Sequence, residues 1–267
     1  MSRIFCATAV ILCAMCYAQQ PQAATHPTAK AGAKTQDAAT KPAAAQTAAP
    51  AAQPAETPKP DIESLKKRAE AGDATAADQL GDTYTMTRGV PKDFAEASKW
   101  YRKAAEKGDV RAQTKLAMLY EGGFGVQQDS KQAIAWYTKA AEQKDVASIM
   151  RLANMYQNGV GIDKNDAEAL KWFVKGAELG VVDAQIALGD IYAAGIAGVV
   201  EPDLAQTMKW YRMAAAQNDP TGLFLVGRLY EEGKGVPSST EEAKKWYQEA
   251  ARKGSPEARA ALRRMQY

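Results

Sequence analysis

The sequence predicts an all-α fold, a solenoid of about five helical-hairpin repeats with a capping helix at each end, and three observations carry that expectation. All five tryptophans, Trp100, Trp136, Trp172, Trp210 and Trp246, stand 36, 36, 38 and 36 residues apart. A tyrosine column, Tyr84, Tyr120, Tyr156, Tyr192 and Tyr230, precedes them by 16 residues, or by 18 in the fourth unit. Helix start and stop residues recur at the same offsets within each unit. Self-similarity at such a period marks stacked supersecondary units, each of which buries its apolar face only against its neighbours.

Taken in order, residues 1–18 read as a secretory signal peptide: Arg3 at the start, an apolar run from Ile4 to Tyr17, and a small-x-small exit at Cys16-Tyr17-Ala18. The run is shorter than the ~20 apolar residues that cross a bilayer. Cys13 and Cys16 follow Leu12 and Met15 rather than small residues, so cleavage is expected in preference to a lipid anchor. With Cys6 these are the chain's three cysteines, which leaves the remainder without thiol or disulfide. Residues 19–60 are Ala, Pro, Thr and Gln with scattered Lys, a composition that cannot bury enough apolar surface to offset chain entropy and is expected to act as a disordered tether. His26, the sole histidine, lies there without companion ligands and reads as a solvated bystander.

The folded part is expected over 61–267. Residues 61–69 align with the tryptophan-bearing segments but carry Ser64 in place of Trp, which suits an end cap whose outer face meets water. Five full repeats follow at about 72–107, 108–143, 144–179, 180–217 and 218–253. The first helix of each opens on an N-cap, Asp73, Asp109, Asp145 or Asp219, with Val181 the departure. Ser255 opens the terminal half-repeat, and Pro220 and Pro256 occupy the position where a missing N–H costs nothing. The second helices open on Asp93, Asp129, Asn165, Asp203 and Ser239, each followed three residues later by Glu or Gln (Glu96, Gln132, Glu168, Gln206, Glu242). That spacing predicts reciprocal capping boxes. Gly108, Gly180, Gly254 and Asn218 mark helix ends, with Lys144 as the exception. Between helices, Arg88-Gly89-Val90 and the glycine pairs 123/125, 159/161 and 233/235 are expected to supply turns rather than a phosphate cradle, and the fourth repeat lengthens this loop from Gly195 to Glu201. Alanine pairs such as Ala104-Ala105 permit close helix approach, Leu80, Leu116, Leu152, Leu188, Val226 and Leu262 mark the inward face, and the tryptophans are expected to be buried. Residues 254–267 supply a last first-helix.

The pattern Gly-Asp-x-x-Ala-x-x-x-Leu-Ala-x-x-Tyr, Gly-x-Gly-Val-x-x-Asp, Ala-x-x-Trp-Tyr-x-Lys-Ala-Ala, repeated over 72–253, resembles the Sel-1-like repeat family, relatives of tetratricopeptide repeats. The resemblance implies a right-handed superhelix of hairpins whose concave face binds other proteins, and exported bacterial members often serve as envelope regulators, virulence-associated adaptors or host-contact factors. A cysteine-rich branch that binds or hydrolyses β-lactams carries a disulfide in each repeat, and this chain has no cysteine in any repeat.

Function follows by subtraction and by face. Once Arg3, Lys30, Lys34, Lys41, Lys59, Asp37 and Glu56 are set aside, acidic and basic residues balance over 61–267, which argues against a nucleic-acid partner. Without histidine or cysteine in the repeats, the usual general base, thiolate and soft metal ligands are missing, so no catalysis, metal or cofactor is expected. The positions three, seven and ten residues after the residue that opens each repeat share one face and vary while the Leu and Tyr columns hold. They nominate a groove of Arg111, Lys115, Met118, Arg151, Asn154, Asp190, Leu225 and Arg228. Arginines there would clasp acidic groups, with Met118 and Leu225 as apolar anchors. The expected activity is an exported scaffold binding a polypeptide, with no stable membrane insertion after signal cleavage. A peptidoglycan- or carbohydrate-binding protein is the alternative, and a hydrolase of the β-lactam-binding type is a third.

Overall fold

Alternating caps and glycine stops cut the chain into short helices of nearly equal length. The computed structural model describes residues 61–86 and 90–266. The expected signal peptide and tether, with His26 and the cysteines, lie outside the described residues, as do Arg88 and Gly89. Among the described residues there are twelve helices: α1 (Ile62–Glu70), α2 (Ala74–Met86), α3 (Phe94–Glu106), α4 (Val110–Gly122), α5 (Ser130–Glu142), α6 (Val146–Asn158), α7 (Asp166–Glu178), α8 (Val182–Ala194), α9 (Leu204–Ala216), α10 (Pro220–Glu232), α11 (Thr240–Arg252) and α12 (Pro256–Arg264). Each packs chiefly on the next in sequence, so α2/α3 through α10/α11 form five hairpins, flanked by α1 and α12 as half-repeats. This is the expected α/α solenoid. The lone β-bridge among the described residues, Ile196 to Val200, sits in the lengthened fourth loop.

The first-helix caps form as read: Asp109, Asp145, Asp219 and Ser255 each accept from the third residue beyond, while α8 begins at Val181 with no side-chain cap. The capping boxes form only in one direction. Asp93, Asp129, Asn165, Asp203 and Ser239 accept from the backbone as expected. Their own N–H groups, however, donate to the carbonyls of Tyr84, Tyr120, Tyr156, Tyr192 and Tyr230 at 2.7–2.9 Å. A backbone carbonyl from the preceding helix takes the donor that the Glu or Gln side chain was expected to satisfy, and pins the two helices of each hairpin at a fixed register. Glu96, released from that duty, accepts from Trp100 Nε1 at 3.1 Å and from Lys99 at 2.8 Å.

The core is the expected one, with one correction. Leu80, Leu116, Leu152, Leu188 and Val226 are fully buried. Four tryptophans are buried, and Lys103, Lys139, Lys175 and Lys209 lay their ammonium groups 3.9–4.8 Å from the ring centroids of Trp100, Trp136, Trp172 and Trp210. Trp246 is only half-buried. The residue after each Trp packs onto a small residue of its own first helix: a side chain at Gly81, Gly189 or Gly227 would meet the ring of Tyr101, Tyr211 or Tyr247 within 3 Å. The other two repeats place Ala117 and Ala153 there. Buried Gln113 and Gln185 bond the Ala105 and Ala177 carbonyls and accept from Gln143 and Gln217, stapling consecutive repeats.

Candidate functional site

Variation in the sequence concentrates on the face formed by α2, α4, α6, α8, α10 and α12, and side chains from neighbouring first helices meet there. Tyr101, Tyr137, Tyr211 and Tyr247, held in the core by the small residues opposite them, point their hydroxyls at that face. Each donates to a carboxylate on its own first helix: Asp82 at 2.7 Å, Glu121 at 2.9 Å, Asp190 at 2.5 Å and Glu231 at 2.6 Å. A cation from the next first helix then engages the same carboxylate in three of the four. Lys115 reaches Asp82 at 2.7 Å, Arg151 donates through Nε to Glu121 at 2.9 Å, and Arg264 pairs with Glu231. In the fourth, Arg228 lies beside the Tyr211–Asp190 pair. Burial first, and the carboxylate beside the phenol second, hold the hydroxyls of Tyr101, Tyr211 and Tyr247 well above the ordinary phenol range; burial also dominates at Tyr137.

These rungs have a positional logic. The acid stands two residues before the marker tyrosine (Asp82, Asp190) or one after it (Glu121, Glu231), positions one helical turn apart on one face. The third repeat lacks every part: Phe173 replaces the tyrosine, Asn154 and Gln157 replace the acids, and Ala187 stands where the next helix would bring a cation. The face therefore carries charged rungs on either side of a neutral centre.

The predicted groove residues separate accordingly. Lys115 is committed to two acids, since it also reaches Asp78 at 2.7 Å. Burial raises the Asp78 carboxyl above the usual carboxylate range, against the opposing pull of Lys115. Arg151 is half-buried against Glu121, and burial lowers its pKa. Leu225 is 6% exposed and belongs to the core, so it is no free anchor: its side chain packs inward with Val226 instead of facing the groove. Met118 is 42% exposed, Asn154 is half-buried, and Asp190 accepts a hydrogen bond from the Tyr211 hydroxyl. Two cations keep free donors. Arg111 is 68% exposed with its nearest carboxylate, Asp78, at 3.6 Å, and Arg228 is 41% exposed with Glu232 at 4.0 Å.

Two cavities open along this face, and Arg228 lines both. One of about 330 Å³ lies between α8, α9 and α10, with Tyr211, Leu229, Glu232 and Lys234 on its walls. The other, about 600 Å³, lies between α10 and α12 over Phe224 and Tyr247. The sequence pattern points to Arg228 but not to Phe224 or the alanines of α12, whose signal is that α12 alone carries alanine in both of two adjacent columns. Among the described residues no group of three His, Cys, Asp or Glu side chains could hold a metal, and no helix is long and apolar enough to cross a membrane.

A profile of the Sel1 repeat family matches five consecutive segments, 74–109, 110–145, 146–181, 182–219 and 220–255, two residues out of phase with the repeats as divided above. Among solved structures, the Sel1 repeat protein from Oxalobacter formigenes is 29% identical, with a TM-score of 0.60 over 76% of this chain and 58% of that one. A protective antigen present in uropathogenic Escherichia coli strains, displaying an SLR fold, is 34% identical, with a TM-score of 0.64 over 75% of this chain and 43% of that one. The chain thus spans about half the length of these solved relatives. No curated protein sequence matches it.

Proposed function

The chain belongs to the Sel1 repeat family, whose members are generally protein-interaction scaffolds, and from that premise we propose that it is an exported adaptor binding an extended polypeptide along the face of its first helices. The observation that carries this reading is the division of labour on that face. Lys115, Arg151 and Arg264 are paired in the rungs, whereas Arg111 and Arg228 project loosely held guanidiniums, Arg228 beside both open cavities. Guanidinium donors share the face with the acceptor Asp190 and the apolar Met118, the mixture that suits carbonyls, amides and side chains of a peptide. The tryptophans offer this face no stacking platform for sugars, since four of them are buried in the core under lysine lids.

A displayed random-peptide library panned on the full chain is expected to enrich binders. Arg111→Gln and Arg228→Gln are each expected to weaken those binders roughly tenfold, the worth of one charged hydrogen bond. Failure to enrich any sequence, with retention of the protein on purified peptidoglycan, would replace the polypeptide with cell wall. For export, the protein recovered from the bacterial envelope is expected to begin at Gln19; an intact Met1 on all of it would remove the signal-peptide reading.

A further inference from the structure

The larger cavity exists because of two alanines. In the first helices, the fifth residue after the N-cap is Asp78, Thr114, Met150, Ile186 and Phe224, and the sixth is Gln79, Lys115, Arg151, Ala187 and Leu225. In α12 these columns hold Ala260 and Ala261. The space that a bulkier pair would fill is left open over Phe224, whose ring stacks on Tyr247 with centroids 5.4 Å apart. An aromatic floor thus lies open between the charged side chains of α10 and α12.

The rim is charged, and most of its charges are already spent. Glu231 is taken by the Tyr247 hydroxyl and Arg264, and Glu232 by Lys234 at 2.8 Å. Two charges keep capacity. Arg228 on α10 has its nearest carboxylate at 4.0 Å, and Glu257 on α12 accepts from the Ser255 hydroxyl at 2.9 Å with no cation paired to it. They lie on the two helices that wall the cavity, one of each sign.

Resting on the polypeptide-binding reading above, we propose that the α10–α12 cavity is an anchor pocket for a bulky apolar side chain of the bound polypeptide, one flanked by a carboxylate that Arg228 takes. Phe224, Tyr247, Ala260 and Ala261 receive the side chain, preferring an aromatic or long aliphatic group that stacks on Phe224. Arg228 pairs the neighbouring carboxylate through its free donors. Glu257, on the opposite rim, repels a second acid, so the pocket selects one acidic neighbour rather than an acidic run.

The test uses three blocked dipeptides, acetyl-Phe-Asp-amide, acetyl-Phe-Lys-amide and acetyl-Ala-Asp-amide, titrated into the isotopically labelled full chain by NMR. Acetyl-Phe-Asp-amide is expected to shift the amides of Phe224, Arg228, Ala260 and Ala261. It is expected to bind about tenfold tighter than acetyl-Ala-Asp-amide, the scale of burying one large apolar side chain, and several-fold tighter than acetyl-Phe-Lys-amide. Ala260→Leu, which refills the cavity from an exposed position, is expected to abolish the preference for Phe, and Arg228→Gln the preference for Asp, each with an unchanged far-ultraviolet spectrum. Equal binding of the three probes would overturn the pocket. So would shifts confined to α2–α6, although those would leave the polypeptide-binding reading standing; peptide library binders that ignore Ala260→Leu would do the same.

Discussion

Lys144 occupies the helix-end position that Gly108, Gly180 and Gly254 fill in other repeats, and it adopts the same left-handed backbone, with φ of 67°. The turn geometry, set by Lys144 N–H to Ala141 and Asp145 N–H to Ala140, overrides the residue's own preference. An L side chain in that conformation costs about 1 kcal/mol, and Lys144 is exposed, so Lys144→Gly is expected to stabilise the chain by about that amount. A urea midpoint that fails to rise would show the strain relieved elsewhere. The buried phenols make a second prediction at this scale. Tyr101, Tyr137, Tyr211 and Tyr247 have folded pKa values raised by burial, so the folded state favours the neutral form. Their contribution is fully present below the ordinary tyrosine value near 10 and is lost as pH rises through the folded value. Alkaline titration is therefore expected to show tyrosinate absorption from these four appearing together with loss of helicity. Ionisation of all the tyrosines before any helix is lost would contradict the buried assignment.

At the level of helices and hairpins, the physics that acts within a few residues was legible and the physics that acts between repeats was not. Asp109 declares a cap and Gly108 a helix end by their own chemistry, and both formed. Glu96 and Gln132 looked equally declarative, yet a carbonyl from the preceding helix won the donor, because a hairpin's closing bond depends on a partner nine or more residues away. Met118 and Leu225 fell in the nominated columns of one helical wheel, but only the packing of the neighbouring hairpin decides that one is exposed and the other buried. The charged rungs were hidden for the same reason: Asp82 and Glu121 occupy different columns that converge in space. They also make the third repeat a natural control. Phe173→Tyr is expected to cost ~1–3 kcal/mol, since the new hydroxyl is buried with no carboxylate at Asn154 or Gln157. Gln157→Glu, recreating the arrangement of Tyr137 with Glu121, is expected to recover part of that loss in the double variant. Strict additivity of the two changes, measured by denaturant unfolding, would mean the rungs contribute no coupling.

Across the solenoid the buried apolar residues gather in two groups that meet at α9. One cluster runs from Ala69 through Trp210, and a second gathers Met208, Tyr211, Leu223, Leu225, Val226, Leu229, Ala243, Tyr247, Ala250, Ala258 and Ala261 around α10–α12. The division passes through α9, one helix beyond α8, which alone among the described first helices from α4 onward begins without a side-chain cap, and beyond the lengthened fourth loop. In a repeat stack, stability is a sum of unit and nearest-neighbour terms, so segments far apart along it can open separately. The second cluster is also the one that carries the α10–α12 cavity, and its outermost tryptophan, Trp246, is half-buried. Trp136→Ala, in the middle of the first cluster, is expected to cost ~3–5 kcal/mol and to raise hydrogen exchange from α3 to α8. α10–α12, which share no buried residue with that cluster, are expected to change little. Trp246→Ala should do the reverse, loosening α10–α12 while the amides of α4–α7 keep their protection. Hydrogen exchange read helix by helix separates the possibilities: equal loss of protection throughout in either variant would mean the two clusters unfold as one unit, and the binding face would then be a rigid surface from end to end.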